Sequence, residues 1–141
     1  MILKIHNTTR YRTQKTSWEK LFFRTLKVLK KVKAKGVIEV TLVSDTAIKE
    51  LNKKHRKKNK ITDVLSFTYT AENNNPEDLI GEIVISPSQA DKQKDMGTSL
   101  KSEMNKLFVH GLLHIFGFDH ENDEEFYTMN SYEKMILKSQ N

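Results

Sequence analysis

Three of the chain's five histidines fall in one run, His110-Gly111-Leu112-Leu113-His114-Ile115-Phe116-Gly117-Phe118-Asp119-His120. Residues four apart lie one turn above each other on the same helix face, so His110 and His114 point their imidazoles the same way. Gly117 permits a backbone turn that a residue with a Cβ resists. That turn can carry His120 back toward the same point. Three neutral imidazoles with a fourth position open is the coordination of a catalytic zinc site, whereas structural zinc usually takes four protein ligands, often cysteines. The chain has no cysteine. The spacing therefore predicts one zinc ion per chain, held by His110, His114 and His120. His6, alone in a strand-like segment, reads as a surface or packing residue.

The run matches the long zinc-protease pattern H-E-x-x-H-x-x-G-x-x-H except directly after the first histidine. There the proteases carry a glutamate that takes a proton from the attacking water. Gly111 has no group to do so. The metal cradle is intact and the protease's base is gone. This counts against peptide hydrolysis but leaves metal-assisted hydrolysis of other bonds open.

At 141 residues the chain reads as one domain, 1–141. Such a chain can bury about two thirds of its unfolded surface. The absence of cysteine fits a reducing compartment. The apolar run at Met1 to His6 is too short for a signal peptide, and no stretch approaches the length that spans a bilayer. The expectation is a soluble cytoplasmic protein with no membrane partner and no disulfide.

The net charge of +6 and pI near 9.4 favour a polyanionic partner over a peptide. The competing reading is a lysine-rich surface that only aids solubility. Distribution adds weight to the first. Lys49, Lys53, Lys54, Arg56, Lys57, Lys58 and Lys60 crowd one segment with a single acid, Glu50. Acids gather instead around Asp119 to Glu125. The basic block directly precedes a strand, so it can form one rim of a groove. Taken alone, Arg56 is one cation among many.

Hydrophobic periodicity places the motifs. Strands are expected at Ile2 to Thr8, Val37 to Val43, Val64 to Tyr69 and Leu79 to Ile85. Gly81 within the last suggests a bulge or the close approach of another group. Helices are expected from about Gln14 to Lys33, stopped by Gly36, and from Asp45, as its cap, to about His55. Ser86-Pro87-Ser88-Gln89 opens a short helix that Gly97 breaks. Thr98 or Ser99 caps the histidine helix, which runs to about Phe116 and is apolar on most sides, hence buried. Asn122 to Glu125 opens a last helix that packs Phe126, Met129, Tyr132 or Glu133, and Ile136. Ala71 to Pro76 is a polar loop. Helices around a small sheet, not strictly alternating with it, indicate an α+β fold.

The string HGLLHIFGFDH closely resembles the H-G-x-L-H-L-x-G-Y-D-H signature of the YbeY family of rRNA-maturation endoribonucleases. The segment Leu51 to Phe67, LNKKHRKKNKITDVLSF, resembles the family's arginine followed by T-D-V-L-S-F. LIGEIVIS, Leu79 to Ser86, resembles its L-G-D-I-x-I-S strand. The likeness covers most of the chain from residue 40 onward. It implies a small mixed four-stranded sheet flanked by helices, with a zincin-like three-histidine site on one side. It implies a single-strand-preferring, metal-dependent endoribonuclease acting on small-subunit rRNA ends in ribosome biogenesis, with RNA or a ribosomal subunit as partner. It also lifts Arg56 out of the general basic block, because the family has an arginine at the matching place facing the metal site. Arg56 and His114 are the residues this assigns to catalysis. His55, Thr62 and Ser66 are further candidates for RNA contacts. Asp119 and Glu103 are candidates for holding a ligand imidazole, or for a turn cap and a first-turn acid. Phe67, Tyr69, Phe116 and Phe118 could stack on bases or belong to the core. Phe118, Ile61, Asn59 and Thr68 depart from the residues usual in the family. The competing functions are a zinc metalloprotease without its glutamate and a non-catalytic, zinc-containing ribosome assembly factor.

Overall fold

The structure is a computed structural model that describes residues 1–70 and 75–138; the Ala71 to Asn74 part of the expected polar loop lies outside the described residues. The elements in chain order are β1 (Ile2–Asn7), α1 (Lys15–Val28), β2 (Val37–Leu42), α2 (Asp45–Arg56), β3 (Val64–Thr68), β4 (Leu79–Ile85), α3 (Pro87–Gln93), α4 (Leu100–Ile115) and α5 (Asp123–Leu137). The four strands form one mixed sheet ordered β1-β2-β4-β3. Strands β1, β2 and β4 run parallel, and β3 pairs antiparallel with β4 at the sheet's edge.

Side chains alternate across a sheet, and here the alternation builds two cores. Ile38, Val40, Leu42, Ile83 and Ile85 pack with Trp18 and Phe22 of α1, Phe108 and Leu112 of α4, and Ile136 of α5. Leu65 and Val84 join a smaller cluster with Val43 and Ile48, where α2 covers β3. Helix α4 anchors the larger core. The Trp18 and Phe108 rings stack with centroids 4.9 Å apart, and the buried indole N–H donates to Asn105 Oδ1 at 2.9 Å. Left without that acceptor, the buried indole would weigh against the fold.

Sequence and structure part company at two element ends and in the packing of α5. Helix α1 stops at Val28 instead of reaching Lys33. Lys30 takes φ 57°, and the Lys31 N–H closes the helix onto the Leu26 carbonyl at 2.7 Å. Lysine tolerates this left-handed position at about 1 kcal/mol, so no glycine is needed to end the helix. Val32 is consequently 62% exposed. Gly36 serves β2 instead: its φ is 130°, and a Cβ there would lie 2.7 Å from Ile80 Cγ2. Helix α2 is capped by Ser44, whose Oγ accepts from the Ala47 N–H. Asp45 is its first helical residue and accepts from Ser86 Oγ at 2.6 Å and Lys92 Nζ at 2.8 Å, tying α2 to α3. In α5, Phe126 is 53% exposed while Met129 and Ile136 are buried.

Both expectations for Gly81 hold. The β2–β4 register shifts beside it, and a Cβ on Gly81 would lie 2.6 Å from Ile115 Cδ1. The last turn of α4 therefore rests directly on β4. Among the described residues no helix is long and apolar enough to cross a membrane.

Candidate metal centre

Helix α4 begins at Ser99, whose Oγ accepts from the Ser102 N–H. It ends with the Phe118 N–H on the Leu113 carbonyl and the Gly117 N–H on the His114 carbonyl, both at 3.0 Å, around Gly117 at φ 97°. This is the glycine-centred closure that satisfies the last free carbonyls of a helix. Phe118 then packs against the core, and the chain turns back through Asp119 to His120. Asp119 Oδ1 accepts the His120 N–H at 2.8 Å, so Asp119 serves as a turn cap.

The turn brings the three imidazoles together. His110 Nε2 and His114 Nε2 lie 3.1 Å apart. One ligand atom from each of His110, His114 and His120 can be chosen so that all lie within 4.8 Å of one another. His110 Nδ1 contacts Glu133 Oε1 at 2.6 Å. The pKa of His114 lies below its usual value: burial disfavours the imidazolium, neighbouring His110 and His120 oppose it further, and Asp119 and a backbone hydrogen bond with Phe118 work the other way. A neutral imidazole is the form that binds a metal. Donor type, convergence and protonation all fit a metal ion.

Gly111 has a packing reason to be glycine. A Cβ there would meet Ile83 Cγ2 at 2.9 Å. The helix that carries His110 and His114 packs closely on β4 at this point, and a glutamate could enter only if the buried Ile83 side chain gave way.

The histidines open onto a cleft of about 660 Å³. The edge strand also lines it, with Val64, Leu65 and Ser66, joined by Arg56 and Lys58. The bonds Ser86 N–H to Asp63 carbonyl and Tyr69 N–H to Ile80 carbonyl set the alternation along β3. They leave the peptide groups of Val64 and Ser66 facing away from β4. Arg56 donates to the Ser66 carbonyl at 2.6 Å and lies 5.6 Å from the centre of the Phe67 ring. The basic loop is folded toward the cleft by Lys57, at φ 57°, and by buried Asn52, whose side-chain amide holds the Lys60 carbonyl at 3.0 Å. Asp63, Asp119 and Glu121 add acids to the same lining.

Several candidates lie elsewhere. Glu103 is in the first turn of α4 and does not line the cleft. His55 packs edge-on to Phe67 at 5.1 Å, and Thr62 bonds to neighbouring Asp63. Phe116 and Phe118 pack against the main core. The Tyr69 hydroxyl donates to Glu82, and burial together with that bond pushes its pKa up to about 12. His6 is exposed on β1, as a surface residue should be. Glu133 is the contact the histidine motif did not reveal. Its one local signal is position: an acid between Met129 and Ile136 on the buried stripe of α5.

An α+β fold with a three-histidine cradle at the end of a buried helix, open to a cleft that Arg56 and Lys58 also line, defines a class of metal-binding proteins. Within that class the chain belongs to the YbeY family: the family model described as Endoribonuclease YbeY matches residues 4–141. Similar curated proteins carry the same name. One from Nautilia profundicola is 45% identical over 105 residues, 74% of this chain and 72% of the relative. One from Thermodesulfovibrio yellowstonii is 38% identical over 105 residues, 73% of this chain and 66% of the relative. One from Aquifex aeolicus is 43% identical over 89 residues, 62% of this chain and 59% of the relative. The fold is similar to a solution structure of a Thermotoga maritima protein, with TM-score 0.60 and 25% identity over 96% of this chain and 89% of that one.

Proposed function

We propose that this protein is a metal-dependent endoribonuclease that prefers single-stranded RNA and acts in the cytoplasm on small-subunit rRNA ends during ribosome maturation. Residues 1–141 would work as one domain. The observation that carries the reading is the convergence of three histidines, with ligand atoms within 4.8 Å of one another, on a cleft that Arg56 and Lys58 also line. The family name of the relatives supports RNA as the substrate.

His110, His114 and His120 would hold one zinc ion per chain. When bound, zinc supplies Lewis-acid polarisation of a phosphate and activation of a nucleophile. The chain's own residues do the rest. The Arg56 guanidinium is steadied by the Ser66 carbonyl and the Phe67 ring, and it has further donors for a phosphate. There it would offset charge that develops at phosphorus. Lys58 adds attraction for the RNA backbone. His114, half-buried and with its imidazolium disfavoured, keeps a lone pair available at the centre of the site.

The test is cleavage of single-stranded and structured RNA by zinc-loaded protein, beside casein. RNA should be cut and casein left whole. Arg56→Lys keeps the charge but loses the planar two-point clamp. It should retain zinc and lose about 10²-fold or more in saturated cleavage rate. Equal rates for Arg56→Lys and wild type would remove Arg56 from the site. Cleavage of casein alone would favour a peptidase, and uncut RNA with zinc bound would favour a non-catalytic assembly factor.

A further inference from the structure

The contact between Glu133 and His110 extends the proposed function. Glu133 stands on α5, and its side chain is only 12% exposed. Its Oε1 lies 2.6 Å from His110 Nδ1. Phe126 and Met129 share the small cavity beside it. Among the described residues no lysine or arginine forms an ion pair with it. A largely buried carboxylate without a cationic partner is costly unless positive charge is supplied nearby.

We infer that Glu133 is the positioning residue of the metal site, acting through His110 in two ways. By accepting the Nδ1–H it holds His110 in the tautomer whose free lone pair is on Nε2. That is the atom facing His114 Nε2 at 3.1 Å. Its negative charge, one imidazole away from the cradle, would offset part of the charge of a bound cation. The contact crosses from α5 to α4, so it also fixes the ring orientation of the first ligand relative to the helix that follows the third.

The inference rests on the proposed metal site, and one set of measurements separates the two. Metal-free wild type, Glu133→Gln and Glu133→Ala are titrated with Zn²⁺ against a competing chelator dye. Glutamine keeps an acceptor for the Nδ1–H and removes the charge, whereas alanine removes both. Zinc affinity should fall about 10-fold for glutamine and toward 100-fold for alanine, the range for lost outer partners of a metal ligand. Nitrogen–proton NMR of the metal-free proteins should show His110 protonated at Nδ1 in wild type and Glu133→Gln, and a tautomer mixture in Glu133→Ala. Thermal stability of metal-free Glu133→Gln should not fall, since a purely structural contact would lose stability and leave zinc affinity alone. Wild-type binding with equal affinity in both variants would overturn the role of Glu133. Failure of wild type to bind zinc would overturn the metal site itself, and this inference with it.

Discussion

His110 and His114 ride on a helix locked between β4 and α1, whereas His120 stands exposed on a turn held by local hydrogen bonds. The helix pair is set by the same contacts that build the core. Ile115 seats on Gly81, Gly111 seats on Ile83, and Phe108 stacks on Trp18. The third ligand is set by Gly117, Asp119 and the packing of Phe118. A cradle built this way would have two ligands set by core packing and a third set by an exposed turn. On the proposed metal site, the helix pair would decide whether metal binds, and the turn would decide how well the geometry closes.

The sharpest way to break that distinction is to remove the ligands one at a time. His114→Ala and His110→Ala should weaken zinc binding beyond the roughly 100-fold typical of an outer partner. His120→Ala should lose less than either, because an exposed turn is easier for solvent to replace. Competition titration of the metal-free proteins measures all three. Equal losses would show that the turn is as preorganised as the helix.

The two glycines give a second contrast. Gly111→Ala must push Ile83, 2.9 Å away, and should destabilise the metal-free protein by about 1–3 kcal/mol in urea unfolding, as overpacking does. Gly117→Ala meets nothing within 4 Å but sits at φ 97°, so its cost is backbone strain, about 1 kcal/mol. If Gly117→Ala were the more damaging of the two, the turn would carry more of the fold than the packing implies.

The smallest expected effect is in pH. Burial, helped by the neighbouring His110 and His120, holds the folded-state pKa of His114 below the ordinary histidine value of about 6.5. Below that value the unfolded chain takes up a proton that the folded chain resists. Stability of the metal-free protein therefore falls as pH drops through that region. Part of this fall should vanish in His114→Gln. An unchanged pH profile in that variant would mean that His114 is not held neutral by its surroundings.

The helix pair was readable from sequence because helical periodicity is local: His110 and His114 share a face whatever else the chain does. The closure at Gly117 was readable for the same reason. The four-stranded mixed sheet followed from the resemblance to the YbeY family. Glu133 was hidden because it is 23 residues from His110 and meets it only through the packing of α5 on α4. The early end of α1 was hidden by Lys30, which adopts a left-handed conformation that sequence reading reserves for glycine. The basic block predicted a rim, but not that Arg56 would be braced against the backbone of the edge strand at Ser66.

The most direct test of the central claim is a zinc titration of RNA cleavage, starting from metal-free protein at saturating single-stranded RNA. The account predicts no cleavage without metal, a rise that levels off at one zinc per chain, and no rise in His114→Ala. Equal cleavage by the metal-free protein, or the same rise in His114→Ala, would contradict it.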